Sequence, residues 1–193
     1  LGWYDNNKRS LPWRVGKNSR KKLYFRLLSE FMLQQTQVKT VIPYFNKFTK
    51  KFKDLKSFSK SSEKKVLKLW EGLGYYRRAR NLLASSKILV KHYNSKLPKT
   101  IKEIKILPGV GDYTANALLG LVHNKPSIAV DGNVKRLFSR IINKQHTRQR
   151  KPLLHTVFIR IFNVQDKERS LYNYIIIQYD KITDMVLNKE YVQ

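Results

Sequence analysis

Apolar residues recur along this chain mostly at the three-to-four-residue spacing of an α-helix. Between 62 and 70, SEKKVLKLW places Val66, Leu67, Leu69 and Trp70 on one broad stripe, with Ser62 in the position of an N-cap. Between 76 and 93 the apolar positions are Ala79, Leu82, Leu83, Ile88, Leu89 and Tyr93, with basic residues between them. The same spacing predicts helices near 22–35, 38–49, 100–107, 112–123, 132–142, 150–163 and 167–185, the last being equally strand-like over YNYIIIQY. Glycine and proline are read as falling between these segments. Alternating patterns with Asn-Gly or Asp-Gly turns are absent, which argues against a β-sandwich or barrel. With no internal repeat, low-complexity tract or long linker, the expectation is one all-α unit of one or two lobes.

Composition narrows the partners. The 193 residues are 41% hydrophobic and 12% aromatic, too apolar for a disordered basic tail and enough for a sizeable core. Forty Lys and Arg against 13 Asp and Glu leave a formal charge of +27. Such a charge favours a polyanion, because each cation that neutralises a phosphate releases condensed counterions; a solvated lysine-rich surface is the plainer alternative. Zero cysteines exclude disulfides, thiolate metal sites and cysteine nucleophiles, and point to a reducing compartment. No stretch approaches the ~20 apolar residues of a membrane span, and the first residues lack a signal peptide's apolar region.

Four segments carry the candidate chemistry. Leu107-Pro-Gly-Val-Gly111 lies between two helical segments, where paired glycines turn the backbone tightly and aim amide N–H groups at one point, as for a phosphate oxygen. An ordinary helix–helix turn with a glycine cap is the competing reading. In SEFMLQQTQV (29–38), the stripe of Leu27, Leu28, Phe31 and Met32 leaves Glu30 about 130° from its centre and Gln35 almost on it. Helical geometry therefore makes Glu30 an exposed carboxylate and makes Gln35 the anomaly, a polar amide either buried and satisfied or aimed at a ligand. Asp131 in VDGNV suits a helix N-cap, which does not exclude a catalytic carboxylate. Gly72-Leu-Gly-Tyr-Tyr76, followed by Arg77, Arg78 and Arg80, offers aromatics beside cations on a flexible turn, fit for base stacking next to phosphates; core packing of one tyrosine is the simpler reading. The four histidines lack metal-ligand spacing.

Taken together, LPWR (11–14), SEFMLQQTQV (29–38) running into VIPYF (41–45), GLGYYRRARN (72–81), LPGVGDYTANA (107–117) and VDGNVKR (130–136) resemble the adenine DNA glycosylase (MutY) family, in the family's order over nearly the whole chain. The separation of 101 residues (131 − 30) between Glu30 and Asp131 fits as well. The resemblance implies an all-α helix-hairpin-helix glycosylase fold of two lobes with the active site in the cleft between them. One is a six-helix domain over 16–121 containing the hairpin; the other is built from both chain ends, 1–15 and 122–193. It implies base-excision repair: adenine mispaired with 8-oxoguanine or guanine is flipped out of duplex DNA and its N-glycosidic bond hydrolysed. Glu30 is then the general acid that protonates adenine N7, which requires a pocket that keeps it protonated near neutral pH. Asp131 stabilises the oxocarbenium-like sugar. Tyr113 and Asn133 orient the carboxylates and the water. Gln35 and Tyr75 enter the stack around the mismatch, and Trp13 and Arg14 match the wall of the base pocket. Backbone around Gly109, Val110 and Gly111 holds a phosphate, with room for a monovalent cation at the hairpin. Lys135 lies near the DNA without an essential role.

The resemblance also marks departures. Endonuclease III-like relatives carry a catalytic lysine where this chain has Tyr113, which implies a monofunctional glycosylase. Most family members bind a [4Fe–4S] cluster through four cysteines. Extending the register puts Asp184 and Tyr191 at the first two cysteine positions, so the expectation is a cluster-free variant with no metal and no other cofactor. The C-terminal domain that reads 8-oxoguanine in the family is also expected to be absent from these residues. The expected partner is duplex DNA with an adenine mispair, with no membrane, for a monomer in the bacterial cytoplasm or nucleus. A sister mismatch glycosylase acting on thymine opposite guanine, and a non-catalytic DNA-binding module, are the alternatives.

Overall fold

The computed structural model describes residues 9–16, 21–125, 127, 129, 130 and 132. Among these, every regular element is a helix: α1 (Lys22–Leu33), α2 (Val38–Lys51), α3 (Leu55–Ser59), α4 (Glu63–Trp70), α5 (Arg77–His92), α6 (Ile101–Ile104) and α7 (Asp112–His123). The helices expected at 132–142, 150–163 and 167–185 lie outside the described residues, as does most of the sequence expected to form a second lobe. No helix among the described residues is long and apolar enough to cross a membrane.

α1 is the central element. Its apolar residues at three- and four-residue intervals, Tyr24, Leu27, Leu28, Phe31 and Met32, are all buried, and the helix packs against α2, α5 and α7. Around it, Phe45 and Phe48 of α2, Phe58 of α3, Trp70 of α4 and Leu82 and Leu89 of α5 close one core. Phe48 sits at the centre of an aromatic group, edge-on to Trp70 with ring centroids 5.8 Å apart and 6.1 Å from Phe58. Edge-to-face pairs of this kind contribute about 0.5–1.5 kcal/mol each beyond the area they bury.

Three features depart from the expected pattern of helices. Pro43 lies inside α2 and Gly120 inside α7, so neither residue punctuates its helix. Pro43 is on the exposed side, where the missing N–H forfeits a bond that water can replace at the carbonyl. α3 is too short for any periodicity window to find, and is held instead by its cap. The Asp54 carboxylate accepts from Ser57 N at 2.7 Å, and the Ser57 hydroxyl accepts from Asp54 N at 3.2 Å. That backbone hydrogen bond holds the Asp54 carboxyl below its ordinary pKa. α6 stops at Ile104 rather than 107, because Leu107 N turns back to donate to Ile104 O at 3.2 Å and starts the hairpin. The domain boundary expected at 121 falls inside α7, which runs on to His123 and ends at Asn124 in the left-handed conformation.

Candidate active site

Glu30 lies in the last turn of α1 and is half-buried, not exposed as its angular position implies. α2, α5 and α7 all pack on this helix, so even its polar flank is partly covered. α1 stops at Leu33, and the chain leaves through Gln34 and Gln35, the latter with φ 58°. A non-glycine residue held there costs about 1–3 kcal/mol and persists only where its surroundings fix it. Extrapolating the helical stripe to Gln35 therefore fails: the helix ends two residues earlier, and the glutamine side chain is exposed.

The turn from 71 to 76 is tied down by hydrogen bonds. Gly72 (φ 92°) and Gly74 (φ 75°) make its bends, and Tyr75 follows with φ 48°. Tyr44 Oη donates to Glu71 O at 3.0 Å and Trp70 Nε1 to Gly74 O at 2.9 Å. The result presents Tyr75 at 63% exposure and Tyr76 at 41%, so neither tyrosine is a core residue. Among the cations that follow, Arg80 pairs with Glu63 at 2.8 Å. Arg78 is buried, unlike the phosphate-contacting arginine expected of that run. Its Nη1 donates to Phe31 O (3.3 Å), Met32 O (2.7 Å) and Gln34 O, while Nη2 donates to Leu73 O and Gly74 O, each at 3.2 Å.

The hairpin between α6 and α7 completes the site. Gly109 has φ 77°, and a Cβ there would lie 2.6 Å from Asn81 Nδ2 and 3.0 Å from Phe31 Cε1, so glycine is required for both conformation and space. Ser85 Oγ donates to Pro108 O at 2.9 Å, and Gln34 Nε2 to Gly109 O at 3.4 Å. Val110 does not contribute an outward amide: its N–H closes the turn onto Leu107 O at 3.1 Å and its side chain is buried. Among the described residues no acceptor takes the N–H of Gly109 or Gly111, both exposed beside the N-terminus of α7, so the cradle expected for an anion reduces to these two amides. Tyr113 is half-buried in the first turn of α7. Trp13 is buried edge-on to Phe45 with centroids 5.2 Å apart, and Arg14 Nη1 donates to Arg9 O at 2.7 Å. Asp131, Asn133 and Lys135 lie outside the described residues.

The structure thus brings three loops together: Gln34–Gln35, Leu73–Tyr75 and Pro108–Gly111. α5 touches all of them from one face, with Arg78, Asn81 and Ser85 at i, i+3 and i+7. Sequence reasoning placed Arg78 among cations beside phosphates and gave Asn81 and Ser85 no role. The available signal was their spacing, which continues the buried line of Leu82 and Leu89 and marks Arg78 as inward-facing.

Residues 28–157 match the family model for the HhH-GPD superfamily base excision DNA repair protein. The chain is similar to the adenine DNA glycosylase of Buchnera aphidicola subsp. Baizongia pistaciae, 46% identical over 141 residues, covering 72% of this chain and 39% of that one. It is also similar to the Mus musculus adenine DNA glycosylase, 41% identical over 146 residues, covering 73% and 28%. It therefore spans about two fifths or less of these relatives' length. Its fold is similar to that of a thermostable thymine-DNA glycosylase (TM-score 0.72, 23% identity, covering 93% of this chain and 81% of that chain). It is likewise similar to endonuclease III in a trapped covalent intermediate with DNA (TM-score 0.67, 21% identity, 86% and 76%). With a helix-hairpin-helix core and a family match over more than half its residues, the chain belongs to the HhH-GPD superfamily of base excision DNA repair proteins.

Proposed function

We propose that these residues form the catalytic part of a monofunctional adenine DNA glycosylase, which hydrolyses the N-glycosidic bond of adenine mispaired with 8-oxoguanine or guanine in duplex DNA. The observation that carries this reading is the meeting of the Gln35 loop, the Tyr75 turn and the hairpin at the end of α1 that bears Glu30. Similarity to adenine DNA glycosylases from bacteria and a mammal supports the choice of base. The exposed Tyr75 ring and Gln35 side chain enter the stack and displace the mispaired adenine, while the amides of Gly109 and Gly111 hold a backbone phosphate, with or without a monovalent cation.

Once adenine is extruded, Glu30 donates its proton to N7 as the C1′–N9 bond breaks, so the base leaves neutral. The Asp131 carboxylate stabilises the cationic sugar, and water adds to C1′ and gives up a proton, leaving an abasic site and restoring the acid. Tyr113 and Asn133 orient the carboxylates and the water, and Trp13 and Arg14 line the base pocket; these roles rest on sequence match. The four-thiolate donor set of an iron–sulfur cluster does not fit this chain, which has no cysteine, and no step passes through one. Such an enzyme works wherever its DNA is held, as a monomer.

The test is incubation with duplexes carrying A opposite 8-oxoguanine, A opposite G and T opposite G, scoring abasic sites. Adenine release from the first two with intact thymine is expected; thymine release alone, or none, overturns the reading. The purified protein should show no broad visible absorbance of an iron–sulfur cluster, and stoichiometric iron with sulfide refutes the cluster-free assignment.

A further inference from the structure

Arg78 has no role in the chemistry above, yet it is the most heavily engaged side chain between the loops. It is 6% exposed, so it does not reach a phosphate of bound DNA. Its guanidinium instead collects carbonyls from two segments about 40 residues apart: Phe31, Met32 and Gln34 at the end of α1, and Leu73 and Gly74 in the turn before Tyr75. Phe31 O and Met32 O are carbonyls that the end of a helix leaves without intrahelical donors, and they carry the negative pole of the helix dipole, so a buried cation is well matched to them. Its carbon atom lies 5.4 Å from the Trp70 ring centroid and 5.3 Å from that of Tyr75. The residues following the two carbonyl groups, Gln35 and Tyr75, are both in the left-handed region, which needs an external hold.

We propose that Arg78 is a positioning residue that locks the Gln35 loop and the Tyr75 turn into one rigid wedge, so that both side chains enter the DNA stack together. The inference rests on the adenine glycosylase reading for what the wedge displaces. A planar five-donor fork is required, because one group must serve carbonyls on two sides at once; a lysine has the charge without the geometry.

The experiment compares single-turnover excision of adenine opposite guanine with excision of adenine in a single-nucleotide bulge, where the base is already unpaired and little extrusion is needed. Arg78→Lys should slow the mispair reaction at least about tenfold while the bulge reaction stays within about threefold of wild type, since misplacement of a positioning group costs rate only where it is used. Equal losses on both substrates, as general damage produces, or wild-type rates on both, overturn the proposal. Should Arg78→Lys not fold, hydrogen exchange on the wild-type protein decides. The amides of Thr36 and Leu73, which donate to Leu33 O and Trp70 O in the two separate loops, should open with one shared rate under conditions where opening limits exchange. Unlike opening rates refute the clamp. Wild-type protein that leaves both substrates intact refutes the adenine reading, and exchange still tests Arg78.

Discussion

Glu30 and Gln35 stand five residues apart on one segment, yet only Glu30 obeys helical geometry, because the helix ends between them. Glu30 is therefore held by regular backbone, while Gln35 depends on contacts from elsewhere. If Glu30 is the proton donor, Glu30→Gln should reduce single-turnover adenine release by at least about 100-fold, a typical general-acid contribution, with duplex binding almost unchanged. Single-turnover kinetics alongside a binding titration check this, and excision at the wild-type rate contradicts the role. The residue type and its place on α1 were readable from the spacing of apolar positions. Its half-buried state was not, since that depends on three helices that pack around α1.

At the level of elements, the hairpin shows two glycines doing different work. Gly109 has φ 77° and Asn81 and Phe31 against the position of its missing Cβ, whereas Gly111 has an extended conformation with open space around it. Gly109→Ala should therefore cost at least about 1 kcal/mol in stability and displace the loop, and Gly111→Ala should cost less than about half of that. Urea melts of the two variants decide, and equal losses contradict the assignment. The LPGVG motif was legible as a turn between helices, but which amides face outward was not. Val110 N–H is consumed by the turn itself, a fact set by the path of the folded loop and invisible in its letter.

For the whole molecule, a charge of +27 predicts affinity that comes from phosphates and therefore from counterion release. With six phosphate contacts, duplex affinity should fall about 10³-fold between 50 and 200 mM salt, with a log–log slope of roughly −5. Phosphate contacts carry no base information, so the preference of these residues for 8-oxoguanine over guanine opposite adenine should be weak, with only the surroundings of Gln35 and Tyr75 to sense it. Titrations of both mispairs at several salt concentrations test the two claims separately. A flat salt response contradicts the first, and a strong 8-oxoguanine preference the second.

What the sequence alone determined is whatever depends on neighbours a few positions away: the helical class, the places of α1, α2, α4, α5 and α7, the hairpin, and the motifs that led to a glycosylase. The short α3, the inward turn of Arg78 and the left-handed backbone at Gln35 and Tyr75 were decided by tertiary structure. Arg78 shows why. In the chain it is one of three arginines in a basic run, alike in charge and helix propensity, and nothing local separates it from Arg77 and Arg80 except a spacing shared with the core. Folding brings together two sets of backbone carbonyls about 40 residues apart, and only a side chain at that one point of α5 reaches both. The requirement belongs to the arrangement of helices, so it appears only once they are packed.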